Sequence, residues 1–379
     1  MSGLTDEQKL LKDSVERFVG DEYEFNTRRK ILSSDPGYLS KHWTQFADLG
    51  WLAAPFSQDD GGLGGTPVDI AIVADELGKG LYVGPFISAI ITAGSLVATA
   101  GNDEQKKRWL SPLIAGEQLL SFGYAEPQAR YDLANVTTSA TPNDSGFKLS
   151  GHKAVVLFGS QADNIIVSAR TSGEQRDHDG ISLFVVPTDA DGVRLRPYVN
   201  VDGHRACEMH MDNVNVPRES LLGAEGQAYP IIEYVADLTS LALCAEAVGC
   251  MQVLYEDTLA YLKEREQFGV KLSTFQALQH RMVDVYMSYE ESRSITYAAA
   301  DGFAQAEDIE RKRLISITKA HIGKAGRHIG QEAVQLHGGM GMTDELRIGH
   351  YFKRLTTINT LFGDVAHHLK RYRQLEEAV

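Results

Sequence analysis

His152 to Pro187 reads HKAVVLFGSQADNIIVSARTSGEQRDHDGISLFVVP, and this stretch decides the architecture. It holds three short apolar runs rich in β-branched residues: Val155-Val156-Leu157, Ile165-Ile166-Val167 and Ile181-Ser182-Leu183-Phe184-Val185. Polar turn residues, Asp177 to Gly180, separate the last two, and Asn143-Asp144-Ser145-Gly146 marks a turn upstream. Branched side chains pack well on a pleated surface, so short runs between such turns predict an all-β domain. Val214-Asn215-Val216-Pro217 reads as its last strand, closed by a proline that cannot donate to a ladder.

On both sides the period changes from two to about 3.6. Upstream, Thr5 and Gln8 make a capping-box pattern before Leu10, Leu11, Val15, Phe18 and Val19 at helical spacing. Asn102 and Gln105 repeat it before Trp109, Leu110 and Leu113, and Gly61 to Gly65 mark a loop between helices. Downstream of about Gln227 the pattern is helical to the end, with one long helix over Ile309 to Leu336. In that helix Gly323, Gly326 and Gly330 share one face. Each glycine costs a helix roughly 1 kcal/mol against alanine, so three in register predict the close approach of a second helix. The expected organisation is an α+β multidomain chain: a helical N-terminal domain (1–119), a β-barrel-like middle domain (120–226) and a C-terminal long-helix bundle (227–379). Helices, then strands, then helices do not alternate as a βαβ dinucleotide fold requires.

Composition narrows the function. The formal charge of −14, with no stretch dense in Lys or Arg, argues against nucleic acid as a partner. Three cysteines without a C-x-x-C argue against a disulfide framework or zinc site and for reduced core thiols. The polar start MSGLTDEQKL does not read as a secretory signal, so the expected location is cytoplasmic. Leu81 to Gly101 carries no charge, but Pro85 interrupts it; a buried helix from about Phe86 is expected, with no membrane span. There is no P-loop pattern, no H-E-x-x-H and no G-x-S-x-G, and Gly339-Met340-Gly341 follows a helix, not the strand that a dinucleotide fingerprint needs.

Three segments resemble the acyl-CoA dehydrogenases. Phe122-Gly123-Tyr124-Ala125-Glu126-Pro127, followed by Leu149-Ser150-Gly151-His152-Lys153 and Ala162-Asp163, resembles the entry into that family's β-domain. Arg265-Glu266-Gln267-Phe268-Gly269 with Phe275-Gln276 resembles its R-x-x-F-G…F-Q signature. Gln335-Leu336-His337-Gly338-Gly339-Met340-Gly341 resembles its Q-x-x-G-G-x-G turn. The string Tyr124 to Asp132 is similar to the pimeloyl-CoA dehydrogenase small-subunit type. The resemblance implies FAD as cofactor and α,β-dehydrogenation of an acyl-CoA thioester. It also implies electron-transfer flavoprotein as acceptor, and a homo-oligomer or a hetero-oligomer with a larger acyl-CoA dehydrogenase subunit. Two other functions stay open: a weakly catalytic or non-catalytic subunit completing a partner's site, and other flavin chemistry on the same fold.

The resemblance places cofactor contacts at Tyr124, Ala125, Val155, Leu157, Arg265, Gln267, Phe268, Gln276, Gln335, Leu336, Gly338 and Gly339. It assigns Arg265 and Phe268 to the flavin of one subunit and Gln335 and Gly339 to its neighbour. Arg265 can fork onto a pyrophosphate or simply be solvated at a helix end. Phe268 can pack on an adenosine or cap the core. Gln276 and Gln335 can bond a ligand or water, and Gly338-Gly339 can admit a phosphate or only end the helix. The chain departs from the family where the flavin ring is expected. Ala125 stands for a threonine and Val155-Val156-Leu157 for Trp-x-Thr. Arg130-Tyr131-Asp132 stands for Gly-Ser-Asp, which makes Arg130 and Tyr131 substrate-contact candidates, unless Arg130 only pairs with Asp132.

Removing a proton α to a thioester needs a carboxylate in a dry site with its pKa raised. In Leu361-Phe362-Gly363-Asp364-Val365-Ala366-His367-His368, where the family often places a glutamate, the acid is Asp364. It is the candidate base, or else the cap of a helix starting at Val365. His367 and His368 are expected to contact flavin or a neighbouring chain. Glu246 is a second candidate base, or else a buried carboxylate paired with a cation.

Overall fold

The protein, in a computed structural model, is described for residues 3–377. In chain order the helices before the sheet are α1 (Asp6–Glu22), α2 (Phe25–Leu32), α3 (Ser40–Asp48), α4 (Pro67–Lys79), α5 (Ser95–Ala100), α6 (Asp103–Gln105) and α7 (Ser111–Ile114). Strands β1 (Leu120–Gly123), β2 (Ser139–Asn143), β3 (Gly146–Leu157), β4 (Asn164–Arg170), β5 (Ile181–Pro187), β6 (Val193–Val199), β7 (Arg205–Pro217) and β8 (Leu221–Leu222) follow. Then come α8 (Tyr229–Glu264), the hairpin strands β9 (Glu266–Gln267) and β10 (Val270–Lys271), α9 (Gln276–Phe303), α10 (Asp308–His337), α11 (Arg347–Thr360) and α12 (Val365–Glu377). Both expected capping boxes form, Thr5 with Gln8 and Asn102 with Gln105. Contacts divide the chain into two compact units, one of residues 31–65 and 83–239, the other of the remainder.

The first unit is built on the sheet, whose order is β6-β7-β3-β2-β4-β5-β8, with β1 parallel to the first half of β4. β4 and β5 are almost wholly buried, as their unbroken apolar runs require. Two expectations are corrected here. The sheet is open, not barrel-like: its end strands β6 and β8 do not pair with each other. β8 is only two residues long, and β6 turns Arg194 and Arg196 outward, which keeps the edges from joining. Nor is Val214–Pro217 the last strand, because the chain turns after Pro217 and adds β8 beside β5. Phe86–Ala100 is helical and buried as expected, with π-helical turns over Phe86–Gly94.

The second unit is a helical bundle in which α10 packs on α9, α11 and α12. The glycine stripe of α10 is where the second helix approaches. A Cβ at Gly330 would lie 2.5 Å from the Phe352 ring of α11, and one at Gly323 would lie 2.6 Å from Val365. Among the described residues one helix, α8, is long and apolar enough to cross a membrane, and 89% of its apolar window is buried.

Candidate active site

β1 leaves the sheet at Gly123, and the next residues turn so that Ala125 forms a β-bridge with Val155. Ala154 N–H donates to Ala125 O at 2.7 Å. Beneath this bridge Glu126 is buried and receives Lys153 Nζ at 2.7 Å, Thr137 N–H at 2.8 Å and Thr138 N–H at 3.1 Å. Burial alone would raise the Glu126 pKa, but the Lys153 charge and these donors outweigh it and hold the carboxyl down to about 2. Burial pulls Lys153 down to about 8 against the attraction of Glu126, so both groups are charged at neutral pH. Ser121 Oγ donates to Leu157 O, and Tyr124 stacks on Phe122 at 5.3 Å. Tyr124, Ala125, Val155 and Leu157 are thereby brought together. The ion pair that anchors them is not legible in the sequence, although both its members lie in the motifs, because spacing alone does not show that Glu126 and Lys153 meet.

Arg130 follows at φ 50°, exposed, beside the half-buried Tyr131. It does not pair with Asp132, which accepts from Ala134 N–H instead. Among the described residues Arg130 makes no ion pair, so a cation is presented to solvent beside the anchored segment.

One edge of the bundle collects the other expected cofactor residues. Tyr261 of α8 stacks on His337 at the end of α10, ring centroids 4.4 Å apart, and Arg281 of α9 pairs with Glu332 of α10 at 2.5 Å. These contacts place three helix ends side by side: α8 with Arg265, the start of α9 with Gln276, and α10 with Gln335, Leu336, Gly338 and Gly339. The β9–β10 hairpin joins the first two, carrying Gln267 and, at its tip, Phe268 and Gly269 with φ of 58° and 78°. Phe268 is 91% exposed although its left-handed backbone is costly for a non-glycine residue. Arg265, Gln267, Gln276 and Gln335 are exposed, Leu336 is buried, and the space beside Gly338 and Gly339 is open. Arg265, Phe268, Gln335 and Gly339 lie along one edge of the bundle.

The candidate base lies in a tight turn between α11 and α12. Phe362 and Gly363 both have positive φ, 55° and 118°. A Cβ at Gly363 would strike the His367 and His368 rings, so this position holds glycine and cannot hold the family's glutamate. Lys319 of α10 is buried beneath the turn and donates to Ile358 O at 2.8 Å and Gly363 O at 3.0 Å. Asp364 is half-buried, and its Oδ1 accepts His367 N–H at 2.8 Å, the capping geometry. His368 corrects its expected role: it is buried and donates to Phe362 O at 3.1 Å, with burial, then the neighbouring cations, lowering its pKa to about 2.

Glu246 is gripped by Arg354, both carboxylate oxygens accepting from the guanidinium at 2.6 Å, with both side chains buried. That is the paired-carboxylate alternative. A forked ion pair engages both carboxylate oxygens and holds the group against Arg354.

The family model "Acyl-CoA dehydrogenase, N-terminal domain" matches residues 5–117, the middle-domain model residues 121–214 and the C-terminal-domain model residues 230–371. The chain belongs to the acyl-CoA dehydrogenase family. It is 29% identical over 347 residues, 90% of each chain, to "Probable acyl-CoA dehydrogenase YngJ" of Bacillus subtilis. It is 25% identical over 314 residues, 82% of each, to "Caffeyl-CoA reductase-Etf complex subunit CarC" of Acetobacterium woodii. A solved acyl-CoA dehydrogenase from Geobacillus kaustophilus has the same fold, with TM-score 0.91, 24% identity and coverage of 98% of this chain and 99% of that one. Family members are FAD-binding oxidoreductases of acyl-CoA metabolism.

Proposed function

We propose that this acyl-CoA dehydrogenase binds FAD and removes the α and β hydrogens of an acyl-CoA thioester, passing electrons to an electron-transfer flavoprotein. The observation that carries the reading is the match of all three family domains, in order, along nearly the whole chain. The residues present fit the cofactor. The bundle edge offers a guanidinium, carboxamides, an open glycine turn and a bare aromatic ring, the donor set and surface that a diphosphate and an adenosine require. Arg265, Gln276, Gln335 and the Gly338-Gly339 turn would hold the diphosphate end, with Gln267 and Leu336 beside them and Phe268 against the adenosine. Tyr124, Ala125, Val155 and Leu157 would flank the ring system through backbone groups and apolar surface. When bound, FAD supplies a two-electron acceptor for the β-hydride.

Asp364 would take the α-proton through Oδ2, the oxygen its cap leaves free, while Lys319 fixes the turn that carries it. Arg130 and Tyr131 would meet a CoA phosphate or a carboxylate on the distal end of the acyl group. The Etf complex named for one relative supports a flavoprotein acceptor for this chain. The buried free thiols fit a reducing, cytoplasmic setting.

The test is anaerobic addition of an acyl-CoA series to the purified protein. Bleaching of the flavin absorption with formation of the enoyl-CoA is the expected result. A flavin-loaded protein that no acyl-CoA bleaches would exclude the reading.

One observation favours a second reading. The glycine-only turn at Gly363 and the capping role of Asp364 together leave the base weak. A weakly catalytic subunit of the pimeloyl-CoA dehydrogenase small-subunit type, beside a larger acyl-CoA dehydrogenase, has this character. Co-purification from the host separates it from a self-sufficient homo-oligomer.

A further inference from the structure

The outer face of β3, β7 and β6 carries a side-chain cluster with no part in the chemistry above. His152 on β3 is paired across the strands with His210 on β7, and their rings stack at 4.0 Å and 13°. Glu208, two residues before His210, projects from the same face of β7. Its Oε2 lies 3.5 Å from His210 Nε2 and 3.9 Å from His152 Nε2. The three donor atoms lie within 4.8 Å of one another. All three residues are partly accessible.

We propose that His152, Glu208 and His210 form a binding site for a zinc-class divalent cation. Zinc takes imidazole nitrogen and carboxylate oxygen at about 2.0–2.2 Å, so tetrahedral donors stand roughly 3.4 Å apart. The His210–Glu208 separation already has that value, and the two imidazoles, stacked nearly parallel, must turn to aim both nitrogens at one ion. Two imidazoles and one carboxylate exclude the hard cations, which want a cage of oxygens. A second observation points the same way: His152 Nε2 is shielded from water and has no hydrogen-bond partner. The opposing charge is slight. Arg196, the cross-strand neighbour of Glu208, approaches it only to 3.9 Å and is 80% exposed, free to swing away; Arg194, opposite His210, is exposed too.

The position gives the ion a purpose. The β3–β7 ladder slips register between Leu149 and Gly151 and again between Lys153 and Val156, and His152 and His210 are paired in the short regular stretch between. An ion there clamps the two strands next to Lys153 and just before Val155, the strand segment assigned to the cofactor.

The test uses the full chain, freed of metal with a chelator and dialysed against zinc chloride, with metal measured per chain. The expected result is saturable binding of one zinc per chain and a higher melting temperature with zinc. His152→Gln and His210→Gln should each weaken binding by at least about 100-fold, since losing even an outer-shell partner costs 10–100-fold. Glu208→Gln should weaken it as well, while His178→Gln, elsewhere on the domain, should not. Glu208→Gln changes a part-exposed side chain and is expected to fold, so it keeps the test open should a histidine variant fail. Absence of saturable binding, or an affinity that all three site variants share with wild type, overturns the proposal.

Discussion

Lys153 Nζ stands 2.7 Å from Glu126 Oε1 with both side chains fully shut off from solvent, and this one contact ties the Glu-Pro segment to strand β3. The pair settles what the two motif residues do here: they fix the path of Tyr124-Ala125 beside Val155. Neither touches the open side. Glu126→Gln leaves Lys153 as a buried charge without its counter-ion, and breaking such pairs costs about 3–5 kcal/mol. A melting-temperature loss of several degrees is expected. Replacing Lys153 by Met in the same chain should recover a large part of it. A Glu126→Gln variant as stable as wild type would show the pair to be dispensable.

The same pair sets an acid-side dependence. The folded Glu126 carboxyl, near 2, lies below its ordinary value of 4.5. Its contribution to stability is therefore full above about 4.5 and is lost as pH falls through the folded value. The stability gap between wild type and Glu126→Gln should narrow steadily as pH is lowered from about 5 toward 2. A gap that is constant with pH would assign the cost to packing.

Phe268 supplies a prediction in which binding and folding part. The ring is 91% exposed and touches little besides the edge of Phe275, at 6.3 Å between centroids. Phe268→Ala should move the melting temperature of the flavin-free protein very little, within about 0.5 kcal/mol as for other surface changes. If the hairpin tip is the adenosine contact, the same variant should bind FAD at least about tenfold more weakly, by the loss of about 1.4 kcal/mol of stacking. FAD titration by fluorescence measures it, and unchanged affinity would remove Phe268 from the cofactor site.

Several of these relationships were legible in the residues alone. The order of helices, strands and helices, the two capping boxes and the glycine stripe of α10 are local or periodic signals, and each formed as read. The open sheet was not legible, because closure depends on whether β6 and β8 meet, and no periodicity encodes that. The Glu126–Lys153 and Glu246–Arg354 pairs each join residues far apart in sequence, 27 and 108 positions respectively, so their members could be named but not matched. The side-by-side helix ends that gather Arg265 and Gln335 depend on the Tyr261–His337 stack, which is likewise a tertiary fact.

Glu246 now predicts a structural phenotype. Glu246→Gln strips Arg354 of its counter-charge in the bundle interior, and about 3–5 kcal/mol of stability should go with it. The folded fraction, once loaded with FAD, should still be reduced by substrate at close to the wild-type rate per flavin. A drop in that rate beyond about 100-fold with the fold intact would return Glu246 to the list of bases.

Asp364 is the decisive test of chemistry. Its Oδ1 is engaged in capping α12, and Lys319 holds the preceding carbonyl, so the carboxylate is rigidly placed with one oxygen free. Asp364→Asn preserves the capping acceptor and the volume and removes only the ability to accept a proton. If Oδ2 is the base, the variant should keep its melting temperature and FAD content while substrate-driven flavin reduction falls by about 100-fold or more, the range that a positioned general base contributes. Asp364→Ala separates the two roles further: it should lose the cap, at about 1 kcal/mol, as well as the reduction. If Asp364→Asn reduces its flavin as fast as wild type, Asp364 is a helix cap and nothing more. The glycine-only turn before it then offers no acid in its place, and the proton is taken elsewhere, by Glu246 or by a residue of a partner subunit.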